Sequence, residues 1–151
     1  MSVDQLPQTL SIANNYNQNA QQPTFEAMEL RKQHNNIKRR LILRCAEMGA
    51  AKHVLDLACG RGGDLNKFNE CAQLCSYVGV DVAEKAIEEA QRRANEICLR
   101  NATFVVQDLR TVDLPCNMFT LCNFQMALHY FCDSQETLQR LIAQVAQALQ
   151  P

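Results

Sequence analysis

The residues best equipped for chemistry are acids that follow short apolar runs, with a glycine cluster between two of them. The cluster, residues 56–64, reads Asp-Leu-Ala-Cys-Gly-Arg-Gly-Gly-Asp. Glycines at 60, 62 and 63 let the backbone turn sharply and approach a ligand. A dinucleotide loop would read G-x-G-x-x-G and bind a pyrophosphate. Here Asp56 and Asp64 flank the loop. Two carboxylates repel a pyrophosphate and suit a cation, such as a sulfonium or the ammonium of an amino acid. Asp81 follows the loop by about twenty residues, where a carboxylate accepts both hydroxyls of a ribose. It equally suits a helix start. Asp108 ends a third apolar run, where a carboxylate can accept from an adenine amino group. Three such acids are far more specific together than any one.

The elements that must position them are legible as alternating runs. HVLDL (53–57), SYVGVDV (76–82), TFVVQD (103–108) and FTLCNFQ (119–125) read as strands. Helices are expected at 25–48, 63–75, 83–99 and about 134–149, with Gly49 stopping the first. Phe25, Met28, Ile37, Leu41 and Cys45 recur at helical spacing in the first. In the third, Ala83, Ala86, Ile87, Ala90, Ala94 and Ile97 share a face, and Glu88–Arg92, Glu89–Arg93 and Glu96–Arg100 pair along it. Asp133 and Glu136 make a capping-box-like start to the last. This alternation predicts an α/β, doubly wound, mainly parallel sheet. Such sheets bind ligands beyond the carboxyl ends of their strands, here just after residues 57, 80, 107 and 123.

Composition narrows the class. The chain has 151 residues, 47% hydrophobic and 21% charged, with net charge −1. That excludes a mainly disordered chain, a collagen and a strongly basic nucleic-acid coat. No apolar run approaches the ~18 residues of a membrane span, and no secretory signal is visible at the N-terminus. The eight cysteines have no zinc spacing and are expected to be small buried hydrophobes of a reducing compartment. Residues 1–24 hold nine Gln/Asn and one charge, Asp4, and read as a flexible arm. The helix at 25–48 carries net charge +3, either a solvated face or a surface for phosphates.

The three acids together match an S-adenosylmethionine site of the class I methyltransferases, and the likeness is closer still. VLDLACGRGGDLNKF, VGVDVAEKAIEEAQRR, VVQDL and FQMALHY, with ELRKQHNNIKRRLI upstream, resemble in order the mRNA cap guanine-N7 methyltransferases. ANNYN near residue 15 resembles the family's short Tyr-Asn element. The resemblance implies a Rossmann-like class I methyltransferase fold and S-adenosylmethionine as cofactor, with no metal. It implies that Lys38 holds the methionine carboxylate, and that Ala58, Gly60 and Asp64 line the methionine and ribose portion. Asp81 would bind the ribose, Asp108 and Leu109 the adenine, and Gln125 the cofactor from the fourth strand end. His129 and Tyr130 would face the cap guanosine, Tyr130 also packing on the cofactor. His34, Asn35, Arg61, Lys67 and Arg93 fall where the family contacts the cap nucleotide and its phosphates. The partner implied is the capped 5′ end of mRNA, with other capping-enzyme components; the implied location is the nucleus, or the cytoplasm for a viral version.

The sequence departs from the family at Ala58, where glycine is usual; the methyl group is expected to narrow the loop and forbid φ > 0. Asn36 replaces an aromatic. The family continues past residue 151 with further strands, so 25–151 reads as the cofactor-binding part of a truncated methyltransferase domain, with FTLCNFQ an uncovered edge. The guanine nitrogen already carries a lone pair, so no residue is assigned as catalytic acid or base and positioning carries the rate. Two other functions remain open: a class I methyltransferase acting on a small molecule, and a non-catalytic protein that binds cofactor or an enzyme partner.

Overall fold

A computed structural model describes residues 24–151 of the chain. The expected Gln/Asn-rich arm, Thr24 excepted, and the Tyr-Asn element lie outside the described residues. Thr24 caps the first helix, its Oγ1 accepting the Ala27 amide at 3.3 Å. That helix, α1 (Phe25–Glu47), stops at Gly49, whose φ of +80° suits glycine. It buries Ile42 and Ala46 near its C-terminal end. Phe25, Met28, Ile37 and Leu41, whose spacing marked the helix, are exposed, so spacing gave the helix correctly but not the extent of its docking.

The sheet has four parallel strands: β1 (His53–Leu57), β2 (Ser76–Asp81), β3 (Ala102–Val106) and β4 (Leu121–Asn123), in the order β3-β2-β1-β4. Between and after them come α2 (Leu65–Asn69), α3 (Glu84–Glu96), a 3₁₀ helix (Leu128–Phe131) and α4 (Gln135–Ala148). Strand alternation divides the core between two faces. Val54 and Tyr77 lie with Ile42, Leu65, Phe68 and Ala94 from α1, α2 and α3. Leu55, Leu57 and Val80 lie with Phe131, Leu141 and Ala148 from the 3₁₀ helix and α4. Helices on both faces make the sheet doubly wound.

Several elements differ from the sequence reading; the helix expected at 83–99 is Glu84–Glu96 and the strand expected at 103–108 is Ala102–Val106. The helix expected at 63–75 shrinks to Leu65–Asn69, because the chain turns at Cys71, whose amide bonds Phe68 O, and buries that side chain in the core. The fourth strand shrinks from 119–125 to Leu121–Asn123; Phe119 instead bridges Leu149, and Phe124 sets its ring edge-on to Phe131. Ser134, not Asp133, caps α4, accepting the Thr137 amide at 3.0 Å. The paired strands leave the outer edge of β4 at 121–123 without a strand partner among the described residues. All eight cysteines are free; Cys71 is buried, but Cys75, Cys98, Cys116 and Cys132 are exposed, against the expectation that cysteines fill the core.

Candidate cofactor and substrate site

Parallel strands with β1 central put four loops along one edge of the sheet. The chain runs outward from β1 to β2 and β3, then returns to the other side of β1 for β4. The crevice of such a sheet opens where that direction reverses, between β1 and β4. Asp56 and Asn123 are register partners there.

Asp56 is the residue that sequence reasoning undervalued. It is buried, with Oδ2 accepting the Tyr77 hydroxyl at 2.6 Å and Oδ1 accepting Asn123 Nδ2 at 2.7 Å. Asn123 Oδ1 in turn accepts Gln125 Nε2 at 2.7 Å. Burial raises the Asp56 carboxyl from 3.8 to about 7, against the lowering effect of the Tyr77 and Asn123 hydrogen bonds. A polar chain thus runs from the floor of the sheet to Gln125, each link a short bond between amide, hydroxyl or carboxyl groups.

After Asp56 the loop turns on Ala58, Gly60 and Gly62, all with positive φ (54°, 54° and 73°). The expectation that a methyl at 58 forbids φ > 0 is corrected: the fold imposes the left-handed conformation and Ala58 bears the strain. Gly62 has no alternative, since a Cβ there would collide with the Leu65 side chain and lie 3.3 Å from the Ala90 backbone. Asp81 holds the loop in place. Its Oδ2 accepts the Gly60 amide at 2.8 Å and its Oδ1 the Ala83 amide at 2.9 Å, so it ties the loop to the start of α3. Each carboxylate oxygen keeps a further lone pair for an incoming hydroxyl.

Lys38 from α1 and Lys67 from α2 converge on Asp64, with Nζ–Oδ1 distances of 2.8 and 2.7 Å. Lys67 Nζ also donates to Gly63 O at 2.8 Å and to Asn35 Oδ1 at 3.4 Å. The geometry argues against Lys67 as a phosphate contact: its side chain is 9% exposed and its three donors are all used inside the protein. Lys67 braces the glycine loop against α1. Arg93 is half-exposed on α3 with Nε 2.6 Å from Glu89, which Arg92 also engages. Arg61 follows Gly60 at the loop and His34 adjoins Asn35 on α1, both half-buried.

On the β3 side, Asp108 Oδ1 accepts the Arg110 amide at 2.9 Å, and Leu109 is buried. On the β4 side, Met126 has φ +64°, a second strained non-glycine turn beside the crevice. The 3₁₀ helix then presents His129 and Tyr130 to solvent with ring centroids 4.0 Å apart. Both side chains are therefore open to a ligand rather than packed in the core. Burial pushes the Cys59 and Cys122 thiols up, Cys122 to about 12, which disfavours their thiolate forms. Among the described residues no group of His, Cys, Asp and Glu could hold a metal ion.

The arrangement fits a nucleoside carrying a cationic group: carboxylates at three strand ends, a loop with close backbone approach, and an exposed aromatic pair. Comparisons with known proteins bear on it directly. The model of the mRNA (guanine-N(7))-methyltransferase domain matches residues 8–151. An mRNA cap guanine-N(7) methyltransferase of Arabidopsis thaliana is 32% identical over 93% of this chain, and that of Saccharomyces cerevisiae 30% identical over 81%. The chain spans only 42% and 30% of those two relatives. The crystal structure of magnesium protoporphyrin IX methyltransferase from Synechocystis with bound SAM superposes with TM-score 0.73 over 93% of this chain and 71% of its own, at 19% identity, a likeness of fold. With the strand order, the acid-lined loop and a family match over nearly the whole sequence in agreement, the chain has the SAM-dependent methyltransferase fold and belongs to the mRNA (guanine-N(7))-methyltransferase domain family.

Proposed function

We propose that this chain carries the S-adenosylmethionine side of an mRNA cap guanine-N7 methyltransferase and part of its cap side. The observation that carries the reading is the Asp81 carboxylate, which fixes the glycine loop through Gly60 while keeping acceptor capacity toward the crevice. Ala58, Gly60 and Asp64 would line the methionine and ribose portion, Asp81 the ribose, and Asp108 with Leu109 the adenine. Lys38 fits the methionine carboxylate: beside Lys67 it leaves the pair of lysines with one positive charge beyond what Asp64 neutralises. Gln125 presents its carbonyl oxygen, since its Nε2 is given to Asn123.

When bound, the cofactor supplies an electrophilic methyl group on a sulfonium. The chain's part is to orient and to exclude water. The guanine N7 lone pair attacks without a general base, so in-line positioning carries the rate. Carboxylates near the sulfonium shape the field without contacting the methyl. His129 and Tyr130 would stack on the guanosine, and His34, Asn35, Arg61 and Arg93 are the remaining candidates for the nucleotide and its phosphates. The capped 5′ end of mRNA is the partner this reading implies, and the nucleus the place. No helix among the described residues is long and apolar enough to cross a membrane.

Calorimetric titration with S-adenosylhomocysteine tests the cofactor half; absence of binding at millimolar ligand refutes it. Asp81→Ala is expected to weaken that binding about tenfold or more, as loss of charge-assisted bonds does. Methyl transfer to capped against uncapped RNA tests the substrate half. Transfer to small acceptors alone would favour a small-molecule enzyme, and cofactor binding without transfer a non-catalytic role.

A further inference from the structure

His129 and Tyr130 stand on a 3₁₀ helix of four residues, Leu128–Phe131, with both rings in solvent. So short a helix has little stability of its own and leaves most of its carbonyls without intrahelical partners. Something outside it must set its direction. Phe131 anchors one end, 6% exposed in the core. The other hold is Arg110, from the loop after β3, twenty residues away. Its side chain is 8% exposed. Nη2 donates to Tyr130 O at 2.5 Å and lies 3.6 Å from Asp133 Oδ2, and Nη1 lies 4.0 Å from Asp108 Oδ1. The guanidinium carbon sits 5.1 Å from the centre of the Phe131 ring.

Arg110 is itself held firmly. Its amide bonds Asp108 Oδ1 at 2.9 Å, and its carbonyl accepts Arg140 Nη1 from α4 at 2.5 Å. Arg140 reaches Val112 O and Asp113 from the same side chain, at 3.2 Å each. The loop is therefore fixed to α4 before Arg110 reaches out. One planar cation then meets a carbonyl, two carboxylates and an aromatic face in a single geometry. A lysine ammonium, a point charge without a planar fork, cannot reproduce it.

We propose that Arg110 is a positioning residue: it sets the 3₁₀ helix, and so His129 and Tyr130, at a fixed place relative to the Asp108 end of β3. This rests on the reading of Asp108 as the adenine side and of His129 and Tyr130 as the guanosine side. Arg110 touches neither ligand in that reading. It fixes the distance between the two halves of the site, on which in-line transfer depends.

The test uses the whole chain with Arg110→Met, Arg110→Lys and Asp133→Asn, each checked for an unfolding midpoint close to that of the parent. Hydrogen exchange is followed by mass spectrometry. In Arg110→Met, amides of residues 127–132 are expected to exchange about tenfold faster or more, while β1 and β2 keep their protection. Titrations with S-adenosylhomocysteine and with the cap dinucleotide GpppA give the functional arm. Arg110→Met is expected to shift the first affinity by less than about threefold and to weaken the second about tenfold, with KM for the cap rising more than kcat falls. Arg110→Lys restores both in part and Asp133→Asn changes them little, since Asp133 is the outermost partner. Unchanged exchange at 127–132 in Arg110→Met overturns the proposal. So does faster exchange spread equally over β1 and β2, or an equal loss of both affinities. If the parent binds S-adenosylhomocysteine but not GpppA, the cap reading fails, and the exchange arm still decides the role of Arg110.

Discussion

Replacing Asp56 by asparagine should change how stability depends on pH, and the structure gives both sign and size. Burial lifts the Asp56 carboxyl from 3.8 to about 7 in the folded chain. Between those values the folded state holds a proton that the unfolded state has lost, so stability falls as pH rises from about 4 to about 7. At about 1.4 kcal/mol for each pH unit, the whole effect approaches about 4 kcal/mol, and about 3 kcal/mol of it lies between pH values of about 4.5 and 7.5. An amide at this position does not titrate, so the variant would have no such dependence. Its carbonyl can accept the Tyr77 hydroxyl, and its amino group can donate to Asn123 once the Asn123 and Gln125 amides turn over, so no bond of the chain is lost. Urea unfolding of both proteins across that range reads the difference. The stability of Asp56→Asn relative to the parent should rise with pH by about 3 kcal/mol. Parallel curves would refute the claim that Asp56 ionises against its surroundings.

Other substitutions follow from the same geometry. Ala58→Gly should raise stability by about 1 kcal/mol in thermal unfolding, by relieving a left-handed alanine. Gly62→Ala should lower it by about 2 kcal/mol or more, since its Cβ meets Leu65 and the Ala90 backbone at φ +73°. Lys67→Met should cost about 1–3 kcal/mol by leaving Gly63 O and Asn35 Oδ1 without their donor, and raising salt should rescue little because the cluster is buried. Near-parent stability would return Lys67 to the candidate phosphate contacts.

The strands were legible because each is a short apolar run closed by an acid or a turn, and β1 runs over His53–Leu57 as read. The acids at their ends were legible because topology alone delivers strand ends to one edge. Other features were hidden because they depend on partners far away in sequence. Asp56 looked like one of two acids beside a loop; its burial depends on Tyr77 from β2 and Asn123 from β4. Lys67 and Arg93 were alike placed among the cap-phosphate contacts by the resemblance, yet only Lys67 faces inward, onto Asp64. Arg110 gave no signal, since an arginine in the loop after a strand has no pattern that distinguishes it from a surface charge. Ala58 misled because a residue preference was read as a prohibition; the bonds from the Gly60 amide to Asp81 and from the Cys59 amide to Val80 O hold the turn despite the methyl.

The place of β4 has a kinetic consequence. β1, β2 and β3 join through crossovers that are short in sequence, whereas β4 must close onto β1 across a separation of 67 residues. Loop closure makes such a pairing slow to nucleate, and a three-residue strand supplies few bonds to drive it. The sheet should therefore assemble from its carboxylate-bearing half, and the half that carries Gln125, His129 and Tyr130 should dock last and detach first. Whatever ligand bridges the two halves would act as a clasp, slowing unfolding more than it speeds folding.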